Sequence, residues 1–288
     1  MTVMKKILVT GATGQQGGAV AGNLISRGQK IRVMTRSPQK AWELARKGAE
    51  VVRGDFEDRD SIAEAVRGVD GVFLMGTPFE KGMEAEVEQG KAVVRACREH
   101  DTPHLVYTSV CASTLDTGIP HFESKAEVEA SIKESGQPFT ILRPVWFMEN
   151  FSSPWLHPSI EKGVLTTPIR PDRSLQMVAL ADIGAFAAEA FLRPLEFLGK
   201  EIDLAGDELT MEEIALQISC AMNREIRYEQ IPEDRAEAVV GNDFALMYAW
   251  FNAHGYQVDI EELRNRWGIR LTSFSRWLGR SSLYRKAA

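Results

Sequence analysis

Near the start of the chain an apolar run, Ile7-Leu8-Val9, breaks directly into Gly11-Ala12-Thr13-Gly14-Gln15-Gln16-Gly17. A strand, a glycine turn and a helix in that order build an anion site out of backbone. Gly11 suits the tight turn, and Gly14 leaves no Cβ where a pyrophosphate must approach. Gly17, with Gly18 and Ala19 beside it, lets the helix lie close on its sheet. The helix N-terminus, with Thr13, Gln15 and Gln16 among its candidate contacts, offers free N–H groups and a positive dipole end to phosphates. The spacing is G-x-x-G-x-x-G rather than the G-x-G-x-x-G of many dehydrogenases. Its weight comes from its place at a strand-to-helix junction.

Strand and helix signals alternate beyond this turn. Strands are expected at Gln29–Thr35, Glu50–Arg53, Gly71–Met75, His104–Ser109 and Pro138–Leu142. Helices fall between them near Gln15–Arg27, Pro38–Lys47, Ser61–Val66, Met83–Glu99 and Ser124–Ser135. Repeated β-α units with short connections predict an α/β class, a Rossmann-type doubly wound parallel sheet that binds ligands beyond its strand C-termini. Residues 1–150 form the expected dinucleotide domain. Residues 151–288 form a smaller C-terminal α+β lobe that contributes back to the cleft. That lobe takes the helix at Asp182–Leu192, the strands at Gln176–Ala179 and Lys200–Leu204, and one helix over Glu233–His254.

Bulk properties narrow the function classes. With 44% hydrophobic and 26% charged residues, 288 residues can fill a real core. A net charge of -6 argues against direct nucleic-acid binding. No apolar stretch approaches the ~18 residues of a membrane span, and the first strand leaves no room for a secretory signal. Cys97, Cys111 and Cys220 lack ligand spacing and read as reduced thiols of a cytoplasmic protein. His100, His157 and His254 have no partners at metal-ligand spacing, so no metal site is expected. No nucleophile elbow points to a hydrolase.

The strand ends carry the candidate chemistry. Arg36, followed by Ser37 and Lys40, stands where an acid would otherwise hold the adenosine ribose. Two cations and a hydroxyl with no acid nearby predict NADP(H) in preference to NAD(H). Asp55 and Phe56, after Gly54, suit an adenine; the other reading is a solvated loop, with Asp58 or Asp60 capping the next helix. Gly76-Thr77-Pro78 lets backbone pass along the nicotinamide-side ribose, or serves as generic turn chemistry. Ser109 closes the fifth strand near the usual serine position of short-chain dehydrogenases and is a candidate cofactor contact, with Val110 the other residue that could fill that slot. His121 and Lys125 are neighbours at i and i+4 on a helix. Histidine suits proton donation near neutral pH, although a surface histidine at a helix entry is the plainer reading. The aromatic-rich Phe147–Trp155 stretch reads as ordinary lobe packing or a pocket wall; its place after the sixth strand favours the wall, with Trp146, Phe147, Phe151 and Trp155 lining it for a small apolar or aromatic substrate.

Together these residues resemble the NmrA-like family of atypical short-chain dehydrogenase/reductase proteins. The likeness runs from Val9–Gly17 through Thr35-Arg36, Gly54–Phe56, His121–Lys125 and Leu142–Pro144. It continues through Phe147–Phe151, Ala181–Gly184 and Leu204–Thr210. It implies that Arg36 and Lys40 hold a 2′-phosphate, Lys125 the nicotinamide ribose, and Phe147, Met148, Glu149 and Asn150 the nicotinamide end. Lys91 is similar to another lysine that approaches the cofactor. Where short-chain dehydrogenases carry Tyr-x-x-x-Lys, this chain has His121 and Lys125. The family implies either an NADPH-dependent reductase of quinone-like acceptors or a non-catalytic NADP(H) sensor with a regulatory protein partner.

Overall fold

A computed structural model describes residues 5–281 and Tyr284. Its frame alternates β1 (Lys6–Thr10), α1 (Gln15–Ser26), β2 (Lys30–Thr35), α2 (Trp42–Arg46) and β3 (Glu50–Arg53). It continues with α3 (Arg59–Val66), β4 (Gly71–Leu74), α4 (Met83–Glu99), β5 (Leu105–Thr108), α5 (Pro120–Glu134) and β6 (Phe139–Pro144). These strands pair in the parallel order β3-β2-β1-β4-β5-β6, and Lys200–Leu204 adds a seventh beside β6. Strand order reverses between β1 and β4, which opens a crevice beyond their C-terminal ends. Every residue of β4 and β5 is buried, so both read as continuous apolar runs rather than alternating ones.

Glycines set the distances between layers. A Cβ on Gly17 would lie 2.3 Å from the Gly11 carbonyl oxygen, so only glycine lets α1 start this close to β1. On Gly90 of α4 it would lie 2.7 Å from the Val128 side chain of α5. Asp58 caps α3, accepting from the backbone N–H of Asp60 at 3.1 Å and Ser61 at 3.3 Å.

The chain divides into two units, and the division is not one cut. The first holds residues 5–116, 120–143 and 183–203; the second holds 117–119, 144–182 and the described residues from 204 on. Most of the helix expected at Asp182–Leu192 and of the strand at Lys200–Leu204 falls in the first of these units. A Cβ on Gly184 would sit 2.7 Å from Ala19 O, and one on Gly71 2.6 Å from the Phe191 ring. Close packing on α1 and β4 therefore draws the segment back to the first unit. Thr140 Oγ1 donates to Phe197 O at 2.8 Å, which joins it to β6.

In the second unit, Ser174–Val178 pairs in parallel with Trp146–Phe147 and antiparallel with Asp207–Thr210. Val164–Thr167 pairs with Arg227–Gln230. The helix expected over Glu233–His254 is two, Glu233–Val240 and Asn242–Ala253. Gly241 between them has φ +81, a left-handed conformation that ends the first helix. Trp146 packs on Phe151 at 4.8 Å and Phe151 on Phe274 at 5.1 Å between ring centroids. Phe151 and Trp146 are buried and Trp155 is exposed, so the first two pack in this unit's core, the lobe-packing alternative for that stretch.

Two substitutions in α1 separate packing from helix propensity. Gly17→Ala should destabilise by about 3 kcal/mol, because backbone rather than a movable side chain blocks the methyl. Exposed Gly22 has no atom within 4 Å of its Cβ site, so Gly22→Ala should stabilise by roughly 0.5–1 kcal/mol. Urea unfolding of both variants checks the opposite signs.

Candidate functional site

The first unit contains a cleft of about 210 Å³ at the C-terminal ends of β1, β2 and β4. Its floor is the glycine turn. Gly11 has φ +61, and the Gly14 N–H donates to its carbonyl at 2.9 Å. Gly14 is the N-cap of α1, with no side-chain capping bond and no acidic residue in the first helical turn. The helix therefore presents uncapped N–H groups beside Gly11, Thr13 and Gly14, which all line the cleft. A Cβ on Gly14 would press to 3.3 Å on Gly11 O. These features fit a diphosphate.

Arg36, Asp55, Phe56, Gly76 and Thr77 line the same cleft, together with Met34, Thr35 and Gly54. Beside them stand Met75, Glu80, Lys81 and Gln89, which sequence reasoning missed. Glu80 corrects the expectation that Arg36 has no acid nearby: its Oε2 accepts from Arg36 Nη2 at 2.6 Å. That bond, with Asp55 and Glu57 farther off, holds the guanidinium above its ordinary pKa. Lys81 pairs with Glu57 at 2.6 Å. Lys40 is exposed on the turn at Pro38–Ala41, outside the lining.

The lysine of α5 has a partner no motif announced. Lys125 Nζ lies 2.7 Å from Glu86 Oε1 and 3.4 Å from the Gly76 carbonyl, while Ser124 Oγ donates to Glu86 Oε2 at 2.6 Å. Glu86 is only 2% exposed. It sits on the buried stripe of α4 with Val87, Gly90, Val94 and Cys97, and an acid at that helical spacing was the available signal. α5 begins at Pro120, so His121 lies in its first turn, buried, with its ring 5.9 Å from Phe79 and 4.8 Å from Phe122.

Other expected residues have structural company. Gln15 is exposed in the first turn of α1, and Gln16 Oε1 accepts from Thr108 Oγ1 at 2.9 Å. Pro78 is buried in the loop after β4. Lys91 faces Glu88 at 3.7 Å and Glu127 at 3.6 Å. Ser109 lies 3.5 Å from Ser113 Oγ, which donates to buried Glu129 at 2.8 Å. Burial pushes the Glu129 carboxyl up, but bonds from Arg143, Ser109 and Ser113 outweigh it and leave it below the usual range.

In the second unit Met148 is fully buried, and Phe147 and Asn150 are half-buried. The Glu149 carboxylate accepts from the Leu180 N–H at 3.1 Å and from Trp277 Nε1 at 3.1 Å. Burial raises its pKa, and those bonds hold back part of the rise. Among the described residues no cluster of three or more His, Cys, Asp or Glu is arranged for a metal, and no helix is long and apolar enough to cross a membrane.

Comparison with known proteins adds four findings. The sequence model of the NmrA-like family matches residues 3–278. A (4-alkanoyl-5-oxo-2,5-dihydrofuran-3-yl)methyl phosphate reductase from Streptomyces griseus is 32% identical over 237 residues, covering 81% of this chain and 80% of its own. Quinone oxidoreductase 2 from Escherichia coli is 29% identical over 233 residues, covering 79% and 78%. Among solved structures, an NADPH-dependent quinone oxidoreductase from Escherichia coli complexed with NADPH has a TM-score of 0.81 at 25% identity, covering 94% of this chain and 98% of that one.

The buried ion pair is open to a thermodynamic cycle. Lys125→Met alone strands the Glu86 carboxylate and should destabilise by roughly 3 kcal/mol. Adding Glu86→Leu should restore part of that loss. Denaturant unfolding of both singles and the double measures the coupling, and additive losses would show that the two groups do not interact.

Proposed function

The chain belongs to the NmrA-like family, and from that premise we propose that it is an NADPH-dependent reductase of quinone-like or other conjugated apolar acceptors. One observation carries the reading: an uncapped, acid-free helix N-terminus opens into a cleft whose far end holds Arg36. The relatives add the chemical class, since one is named a reductase and another a quinone oxidoreductase.

The N–H groups at the start of α1 would hold the diphosphate, with Gly14 leaving no side chain in its way, Thr13 beside it, and Gly11 and Gly17 setting the turn and the approach of the helix. Arg36, with Lys40, would grip the 2′-phosphate and so favour NADP(H) over NAD(H). Asp55 and Phe56 would flank the adenine. When bound, the dinucleotide supplies a hydride to the acceptor. Lys125 would position the nicotinamide ribose. Glu86 holds that ammonium in place and balances its charge in a buried setting. His121 stands one helical turn away as the candidate proton donor, where a tyrosine would serve in a short-chain dehydrogenase.

The Lys125–Glu86 pair and the missing tyrosine also favour a second reading, a non-catalytic NADP(H) sensor that passes its occupancy to a protein partner. A partner whose affinity is unchanged by NADPH or NADP⁺ would remove it, because linkage requires differential binding. Sustained NADPH oxidation across a panel of quinones and azo dyes supports the reductase; tight NADPH binding without turnover contradicts it. Arg36→Glu should weaken NADPH by about tenfold or more while leaving NADH within about twofold, as read by calorimetry. Equal loss for both would refute the role of that side chain.

A further inference from the structure

Arg36 is not a free cation waiting for a phosphate. Its guanidinium is already bonded to Glu80 at 2.6 Å, and both side chains line the cleft. Glu80 reaches it from the loop after β4, a segment the sequence gives no reason to place beside the end of β2. Next along that loop, Lys81 bonds Glu57 beyond β3 at 2.6 Å. Residues 77–82 are thus tied across the adenosine end of the cleft to both flanking loops. The charged side chains lining the cleft there are Arg36 and Lys81 against Glu80 and Asp55, which leaves no surplus of positive charge for a dianion.

We propose that Glu80 is a specificity-determining residue, an internal carboxylate that occupies Arg36 and lowers the preference for a 2′-phosphorylated dinucleotide. The inference rests on the dinucleotide site proposed above and concerns only its selectivity. A 2′-phosphate must share the Arg36 guanidinium with Glu80 or displace it, and either way stands beside a carboxylate, an unfavourable like-charge contact. A dinucleotide with a free 2′-hydroxyl meets no such repulsion, and a carboxylate accepts hydrogen bonds from hydroxyls. Arg36 and Glu80 have side chains 54% and 56% exposed, so their mutual attraction is weak and exchange is accessible. The second tie, Lys81 to Glu57, is independent of Glu80 and keeps the loop in place when Glu80 is altered.

The test is calorimetric titration of wild type and Glu80→Gln with NADPH and NADH at low ionic strength, repeated in an Arg36→Met background. Glu80→Gln should raise the ratio of NADPH to NADH affinity about tenfold, with the change confined to NADPH. Raising salt should shrink that gain, and Arg36→Met should abolish it. An unchanged ratio with both dinucleotides bound would overturn this inference alone. Weaker NADPH binding by Glu80→Gln would also overturn it, because Glu80 would then be holding Arg36 ready rather than competing for it. Binding of neither dinucleotide by the wild type would overturn the proposed site itself, and the selectivity with it.

Discussion

The approach of α1 to the end of β1 is the contact on which the rest depends. Gly17 rests on the backbone of Thr10 and Gly11, where no side chain fits. That closeness brings the uncapped first turn of the helix to the C-terminal edge of the sheet, at the point where strand order reverses. Thr10 reinforces the junction. Its hydroxyl donates to Phe73 O at 3.1 Å and accepts from the Met75 N–H at 2.9 Å, which ties β1 to the strand across the reversal. A cleft follows from these two contacts before any charged side chain is considered.

The charged side chains then divide the cleft chemically. Around the turn the field is set by backbone dipoles, with no acid in the first helical turn to oppose an anion. Near Arg36 it is set by opposed side chains on three loops, exposed and readily exchanged. Near Lys125 it is set by a buried pair, Lys125 with Glu86, further fixed by Ser124. Exposed pairs rearrange for a ligand at small cost, whereas a buried pair resists separation. The Arg36 end is therefore suited to exchanging partners, and the Lys125 end to holding one geometry.

Local pattern made the first six strands legible, since strand and helix periods alternate cleanly and glycines mark the turn. What escaped was long-range. The return of residues 183–192 to the first unit depends on Gly184 matching α1, a complementarity that no window of neighbouring residues contains. Glu80 meets Arg36 across 44 positions of chain, so the strand end read as purely basic. Glu86 was different: an acid within the apolar stripe of α4 marks a buried partner, and the matching lysine was already in hand. The two-residue strand at Trp146–Phe147 and the break at Gly241 were too short or too local to override a looser pattern.

We propose that backbone N–H groups at the start of α1 receive a dinucleotide diphosphate. Amide-resolved NMR during an NADPH titration tests it most directly. The largest saturable shifts should fall on Thr13 through Gly17, with the Arg36 amide following at the same midpoint. Saturable shifts that leave Thr13 to Gly17 unmoved would contradict it.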